Sequence, residues 1–234
     1  MAQSPTVGLV HGAFADTSGF AGIITELQAA GHRVFAPANP LRSLSTDAAT
    51  LRSFVSAIDG PVVLVGHSYG GAVISQASAE LDNVTGLVYL AAFGLDVGES
   101  LQSVQEPFPV TLLGQNIAFT GYDAVGAPGG PDVYVAKDFH ETFCADLDDQ
   151  ASAIMEATQR YLSAAAYTEP ATAAGWKTIP SWYLVSEHDN SISPDAERFM
   201  ADRMKATTAS IDGSHVAFIA KPHEVAAFIT QALG

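Results

Sequence analysis

The chain has 234 residues, 48% of them hydrophobic and only 15% charged, which suits one domain with a large buried core and excludes a disordered segment. A net charge of -15, from 25 acidic and 10 basic side chains with no Lys/Arg cluster, argues against nucleic acid or an anionic membrane as a partner. Cys144 is the single cysteine, so no intrachain disulfide is possible, and no apolar run reaches the ~18 residues of a membrane span. The start shows no basic segment followed by a long apolar one, so a soluble, cytoplasmic protein is expected.

Thr6–Val10 is a short apolar run ending at His11-Gly12 and reads as a buried strand. Ser18 is placed to cap a helix to about Ala30, with Phe20, Ile23, Ile24 and Leu27 on one face and Gly31 as its stop. His32–Ala36 reads as a second strand. Thr46 or Asp47 opens a helix whose inner side is Leu51, Phe54, Val55 and Ile58. Pro61–Val65 is a third, wholly apolar strand, Gly70–Leu81 a helix and Val84–Ala91 a fourth strand. After a long interruption the alternation resumes: strand Ser181–Val185, helix Pro194–Met204, strand Thr208–Ile211 and helix Pro222–Leu233.

Strands that are apolar throughout, alternating with helices, predict an α/β fold: a mostly parallel sheet with helices on both faces. The stretch from about residue 94 to 176 breaks the rhythm. It carries Pro107, Pro109, Pro128 and Pro131, the glycine-rich region 126–130, and helix-like segments around Phe139–Leu147 and Ala151–Ser163. The expected organisation is therefore a single domain, 1–234, with a largely helical cap inserted at about 94–176.

The third strand runs into Gly66-His67-Ser68-Tyr69-Gly70-Gly71 with a helix behind it, the G-x-S-x-G arrangement. Strand and helix backbones come close at such a turn, and Gly66 and Gly70 meet that need. Ser68 is forced into a strained geometry that lifts its hydroxyl clear of the sheet, at a helix N-terminus that favours negative charge.

A serine needs a base, and in this motif's chain order an acid and then a histidine follow it. His215, just after the last strand, is the candidate base. His223 reads as a surface residue of the last helix, His188 neighbours the acid candidates, and His140 lies in the insertion. His32 and His67 read as structural. Asp189 is the favoured acid, with Glu187 and Asp195 as alternatives; Asp212 lies too close to His215 in a short loop. The backbone N–H groups of Ala13, in the loop after the first strand, and of Tyr69 are the expected oxyanion donors.

The segments Val10-His11-Gly12-Ala13, Gly66-His67-Ser68-Tyr69-Gly70-Gly71, Glu187-His188-Asp189 and Gly213-Ser214-His215 resemble the α/β-hydrolase superfamily. They are most similar to the small esterases related to plant methylesterases and hydroxynitrile lyases. The resemblance covers the core on both sides of the insertion. It implies a cap over the site and no cofactor or metal. The dehalogenases and epoxide hydrolases of the fold carry Asp where this chain has Ser68. The hydroxynitrile lyases carry Thr where this chain has Gly12, and Lys after the catalytic His, where it has Val216.

The reading that results is a serine esterase acting on a small-molecule ester or lactone through Ser68, His215 and Asp189. Phe14, Phe93, Phe139, Phe143, Trp176 and Val216 are the expected pocket residues. Two other classes stay open: a cofactor-free lyase or oxygenase using the same His–Asp base, and a non-catalytic small-ligand receptor. Oligomeric state is not read from the sequence.

Overall fold

A computed structural model describes residues 4–122 and 130–234. Its centre is a six-stranded sheet built from β1 (Thr6–Val10), β2 (Val34–Phe35), β3 (Val62–His67), β4 (Val84–Leu90), a strand at Ser181–Ser186 and a strand at Thr207–Ile211. The lateral order is β2, β1, β3, β4, Ser181–Ser186, Thr207–Ile211, and every neighbouring pair is parallel. Every residue of β1 and β3 is buried, whichever face it points to. Layers of helix on both sides account for that, as the unbroken apolar runs predict. Helices α1 (Ala21–Ala29), α2 (Leu44–Val55) and α3 (Tyr69–Ser78) alternate with the first four strands.

The chain steps from β1 outward to β2, then returns past β1 to β3 and continues the other way. The direction of winding thus reverses between β1 and β3. Such a reversal leaves a crevice at the carboxyl ends of the two strands, the usual place for a ligand in a parallel sheet. The loops that follow β1 and β3 hold Gly12-Ala13 and Ser68.

Several boundaries differ from the sequence expectation. The second strand is only Val34–Phe35. The segment after Asp16 opens as a 3-10 turn, Thr17–Phe20, capped by Asp16 accepting from the N–H of Ser18, before α1 begins at Ala21. Helix α2 starts earlier than expected, with Ser43 as its cap accepting from Thr46 N–H. Phe54 is not on its inner side: at 100° per residue it diverges from the buried Ala48–Leu51–Val55 face, and it is 50% exposed.

The insertion between β4 and the fifth sheet strand is largely helical among its described residues, with a small sheet added. It holds α4 (Leu101–Gln105), α5 (Leu112–Asn116), β5 (Ile117–Thr120), β6 (Asp132–Val135), α6 (Phe139–Phe143), α7 (Asp149–Thr158), β7 (Leu162–Ser163) and α8 (Ala164–Thr168). β5, β6 and β7 form a separate antiparallel sheet. Residues 126–129 of the glycine-rich stretch, Pro128 among them, lie outside the described residues.

The main sheet then closes with β8 (Ser181–Ser186), α9 (Pro194–Met204) and β9 (Thr207–Ile211), followed by a short additional helix α10 (Ala217–Ala220) and by α11 (Pro222–Thr230), which begins at the expected residue. Pro222 separates the last two, since it has no N–H to continue a helix. α1 packs against α11, and α2 against α3. Among the described residues, no helix is long and apolar enough to cross a membrane.

Candidate active site

The carboxyl end of β3 passes directly into α3 through one residue. Ser68 has φ 52° and ψ -123°, a backbone geometry that ordinary side chains avoid. The surroundings fix it there. Its N–H donates to Leu90 O at 3.3 Å, and its carbonyl accepts from Gly71 and Phe93 N–H at 3.0 Å each. The flanking glycines have no alternative: a Cβ at Gly66 would lie 2.6 Å from Gly70 O, and one at Gly70 would lie 2.1 Å from Val10 O. Ser68 is 7% exposed and makes no side-chain capping bond with the helix it begins. Its hydroxyl is therefore buried in packing terms yet uncommitted.

His215 follows β9 and Asp189 follows β8, so both stand at the same sheet edge as Ser68. His215 Nδ1 lies 2.5 Å from Asp189 Oδ2, and both side chains are buried. The other carboxylate oxygen, Oδ1, accepts from the N–H groups of Ser191 at 2.6 Å and Ile192 at 2.9 Å. An aspartate held by two backbone donors presents its second oxygen to Nδ1–H, which leaves Nε2 as the acceptor nitrogen. Nε2 is buried and finds no hydrogen-bond partner among the described residues.

His67, next to Ser68, ties this loop to the elbow. Its Nε2 donates to His215 O at 2.9 Å, and the two imidazole rings lie 4.6 Å apart. Burial, with His215 beside it, holds the His67 imidazole well below its usual pKa, so it is a neutral spacer.

The loop after β1 presses on Ser68 from the other side. A Cβ at Gly12 would stand 2.6 Å from Ser68 Cβ and 2.9 Å from His67 O. His11 anchors the loop. Its Nδ1 donates to Gly12 O at 2.8 Å, its Nε2 accepts from Asn39 N–H at 2.9 Å, and burial lowers its pKa to about 4. Phe14 takes a left-handed conformation, φ 60°, and donates its N–H to Arg160 O at 2.9 Å. Ala13 and Tyr69 line the same cavity as Ser68. The hydroxyl of Tyr69 points away, donating to buried Asp47 at 2.8 Å.

The insertion braces all of these loops. Arg160 holds the β1 loop, as above. Asn190 Nδ2 donates to Glu141 O and Ser191 Oγ to Thr142 O, both at 2.9 Å. Asp146 accepts from both the N–H and the hydroxyl of Ser214, directly before His215.

A cavity of about 360 Å³ opens above Ser68, with Ala13, Phe14, Ser68 and Tyr69 at one end. Phe93 and the insertion residues Leu101, Phe108, Leu113, Ile117, Val133 and Leu162 line the rest, together with polar groups of Gln102, Gln105, Thr111, Tyr167 and Ser191. Glu106 is its single charged lining residue among those described, and it is exposed at the surface. Of the expected pocket residues, Phe14 and Phe93 line this cavity and Phe139, Phe143, Trp176 and Val216 do not. Phe143 packs edge-on to His215, ring centroids 5.1 Å apart, and Phe139 packs on Phe143. Trp176 donates its indole N–H to Leu95 O at 2.8 Å, and Val216 is fully buried beside His215.

The rival candidates are engaged elsewhere. Glu187 and Asp195 both pair with Arg198. Asp212 pairs with exposed His188 at 2.8 Å, and His223 with Glu26 at 3.0 Å. His140 donates to Leu147 O at 2.8 Å, away from the cavity wall.

A family model described as "Alpha/beta hydrolase family" matches residues 9–228. A probable hydrolase of a Phoma species is 28% identical over 254 aligned positions, covering 98% of each chain. Methylesterase 2 of Arabidopsis thaliana is 26% identical over 214, covering 82% of this chain and 81% of its own. Polyneuridine aldehyde esterase superposes with a TM-score of 0.84 at 18% identity, over 98% of this chain and 99% of that one, a likeness of fold.

Proposed function

The chain belongs to the alpha/beta hydrolase family, and from that premise we propose that it is a serine esterase cleaving small carboxylic esters or lactones with Ser68, His215 and Asp189. One observation carries the reading: a strained, uncommitted serine at the winding reversal shares its sheet edge with an Asp-paired histidine whose Nε2 has no hydrogen-bond partner among the described residues. The relatives named hydrolase and methylesterase support it.

The reaction has two halves. Nε2 of His215 takes the Ser68 proton as Oγ bonds to the ester carbonyl carbon. The carbonyl oxygen gains the charge and is held by the Ala13 and Tyr69 N–H groups, the latter at a helix N-terminus. As the C–O bond to the alcohol breaks, Nε2–H returns the proton to the departing oxygen. Water, deprotonated by the same nitrogen, then cleaves the acyl-serine to acid and free Ser68. Asp189 keeps the imidazole oriented and stabilises it while charged. The insertion caps the crevice and excludes water.

The cavity wall limits the substrate. It is mainly apolar, and it offers no Lys, Arg or His among the described residues to balance an anion. Moving an unpaired carboxylate from water into such a site costs several kcal/mol. An ester panel with identification of products tests the proposal. Neutral aryl and alkyl esters should give acid plus alcohol. Analogues bearing a free carboxylate on the acyl group should show kcat/KM lower by about 10²-fold. Absence of turnover across the panel refutes the esterase reading, and equal rates for both sets refute the pocket argument.

Gly12 supplies a second test. A methyl group there meets Ser68 Cβ and His67 O, neither of which is free to move. The loop must retreat, carrying the Ala13 N–H off its target. Gly12→Ala is expected to lower kcat by about 10²–10³ with little change in KM, the loss typical of one oxyanion donor. Steady-state kinetics on a neutral ester measure it, and a variant with wild-type kcat removes Ala13 from the mechanism.

A further inference from the structure

A second carboxyl group lies behind Asp189, and none of the steps above uses it. Glu197 sits in the first turn of α9 with 0% exposure. Its Oε2 accepts from Ser186 N–H at 3.1 Å, at the very end of β8. Its Oε1 faces no donor among the described residues. The carboxyl of Asp189 is its charged neighbour. Two carboxylates cannot share a dry site while both are charged, and two acceptors make no hydrogen bond unless one carries a proton. Asp189 already accepts from Ser191, Ile192 and His215, as an anion does, and an ionised carboxylate has room for about one acceptor bond more. The proton therefore belongs on Glu197. Burial and the charge of Asp189 both push the Glu197 carboxyl well above the usual carboxylate range.

We propose that Glu197 is a positioning residue: held as a neutral acid, it donates a hydrogen bond to Asp189, fixes that carboxylate against His215, and tempers its hold on the Nδ1 proton. This rests on the reading of His215 and Asp189 as base and acid.

The surrounding groups leave that arrangement undisturbed. From β8, the Tyr183 hydroxyl donates to Ala92 O at 2.5 Å and stays neutral, its pKa driven up by burial. On α9, Arg198 favours an ionised Glu197, but its guanidinium is bound to Glu187 and Asp195 at the surface. On the far side, His215 faces Asp189, and neutral His67 faces His215.

The sign of the effect separates this role from its rivals. A lost neutral donor leaves Asp189 pulling harder on His215, so the imidazolium is favoured and the acidic limb of kcat/KM moves up in pH. A lost negative charge does the opposite. Glu197→Gln keeps the pattern: its amide oxygen accepts from Ser186 and its NH₂ donates to Asp189. Glu197→Leu removes both bonds at similar volume. The expected result is a kcat/KM profile for Glu197→Gln close to wild type, with Glu197→Leu shifted upward by about one pH unit. A downward shift in both variants overturns the proposal, because Glu197 was then ionised. Equal losses of rate in both with no shift in either also overturn it, because packing alone was at stake.

Infrared spectroscopy gives a readout that needs neither turnover nor a folded Leu variant. Wild type at neutral pH should show the C=O stretch of a buried protonated carboxylic acid that Glu197→Gln lacks, and identical spectra overturn the proposal. If that band is present while wild type hydrolyses no ester, the positioning pair stands and the esterase reading has failed.

Discussion

Ser68→Ala is expected to abolish ester turnover, by about 10⁵-fold or more in kcat, and to leave the folded protein as stable as wild type. The two halves of this result have separate origins. In the proposed mechanism the hydroxyl supplies the nucleophile, and no second hydroxyl stands at the elbow to replace it. Its removal costs the fold little, because Ser68 makes no capping bond with α3. The backbone strain at φ 52° persists in the alanine variant, since it comes from Cβ and from the bonds that Leu90, Gly71 and Phe93 make to this residue. Stopped assays on a neutral ester and thermal unfolding followed by circular dichroism measure the two halves. A fluorophosphonate should label wild type at Ser68 and leave the variant unlabelled. Activity within a hundredfold of wild type, in a variant shown to be free of contaminating esterase, discards Ser68 as nucleophile.

The sequence exposes this part of the site because its signals are local. Each candidate residue follows a strand by a few positions, and parallel strands deliver all such loops to one edge. The same reasoning brings Asp189 to His215 and Gly12 to Ser68. It falters where several neighbours compete for one role, and where a decision depends on contacts distant in the chain. Ser43, Ser45 and Thr46 are all competent helix caps, and only the bond from Thr46 N–H to Ser43 Oγ decides among them. The insertion sheet pairs Ile117 with Val135 and Asp132 with Ser163, across separations at which periodicity carries no information.

The pocket aromatics divide for a related reason. Phe14 and Phe93 belong to loops leaving sheet strands, and their position follows from the sheet. Phe139 and Phe143 belong to a five-residue helix whose rotation is set by tertiary contacts; Phe143 faces His215 and Phe139 packs on Phe143, and neither lines the cavity. Glu197 is the least legible of all. A glutamate in the first turn of a helix reads as an exposed partner for the helix dipole. Its burial depends on where β8 ends and on Asp189 arriving beside it.

Asp189→Asn should lower kcat by about 10⁴-fold while KM changes little, although it removes no atom from the packing. The amide orientation is determined by the neighbours. Two backbone N–H groups, from Ser191 and Ile192, converge on Oδ1. The amide must keep its oxygen there, since turning its NH₂ toward them sets donor against donors at 2.6 and 2.9 Å. The NH₂ then faces His215 Nδ1, which must offer a lone pair. The imidazole proton moves to Nε2, and the nitrogen that should receive the Ser68 proton already carries one. The negative charge that stabilises imidazolium is lost in the same step. Glu187→Gln, by contrast, should leave turnover near wild type, because that side chain is engaged with Arg198 at the surface. Steady-state kinetics on one neutral ester compare the two. Near-normal kcat in Asp189→Asn, with a large loss in Glu187→Gln, transfers the acid to Glu187 and refutes the pairing of Asp189 with His215 as the working couple.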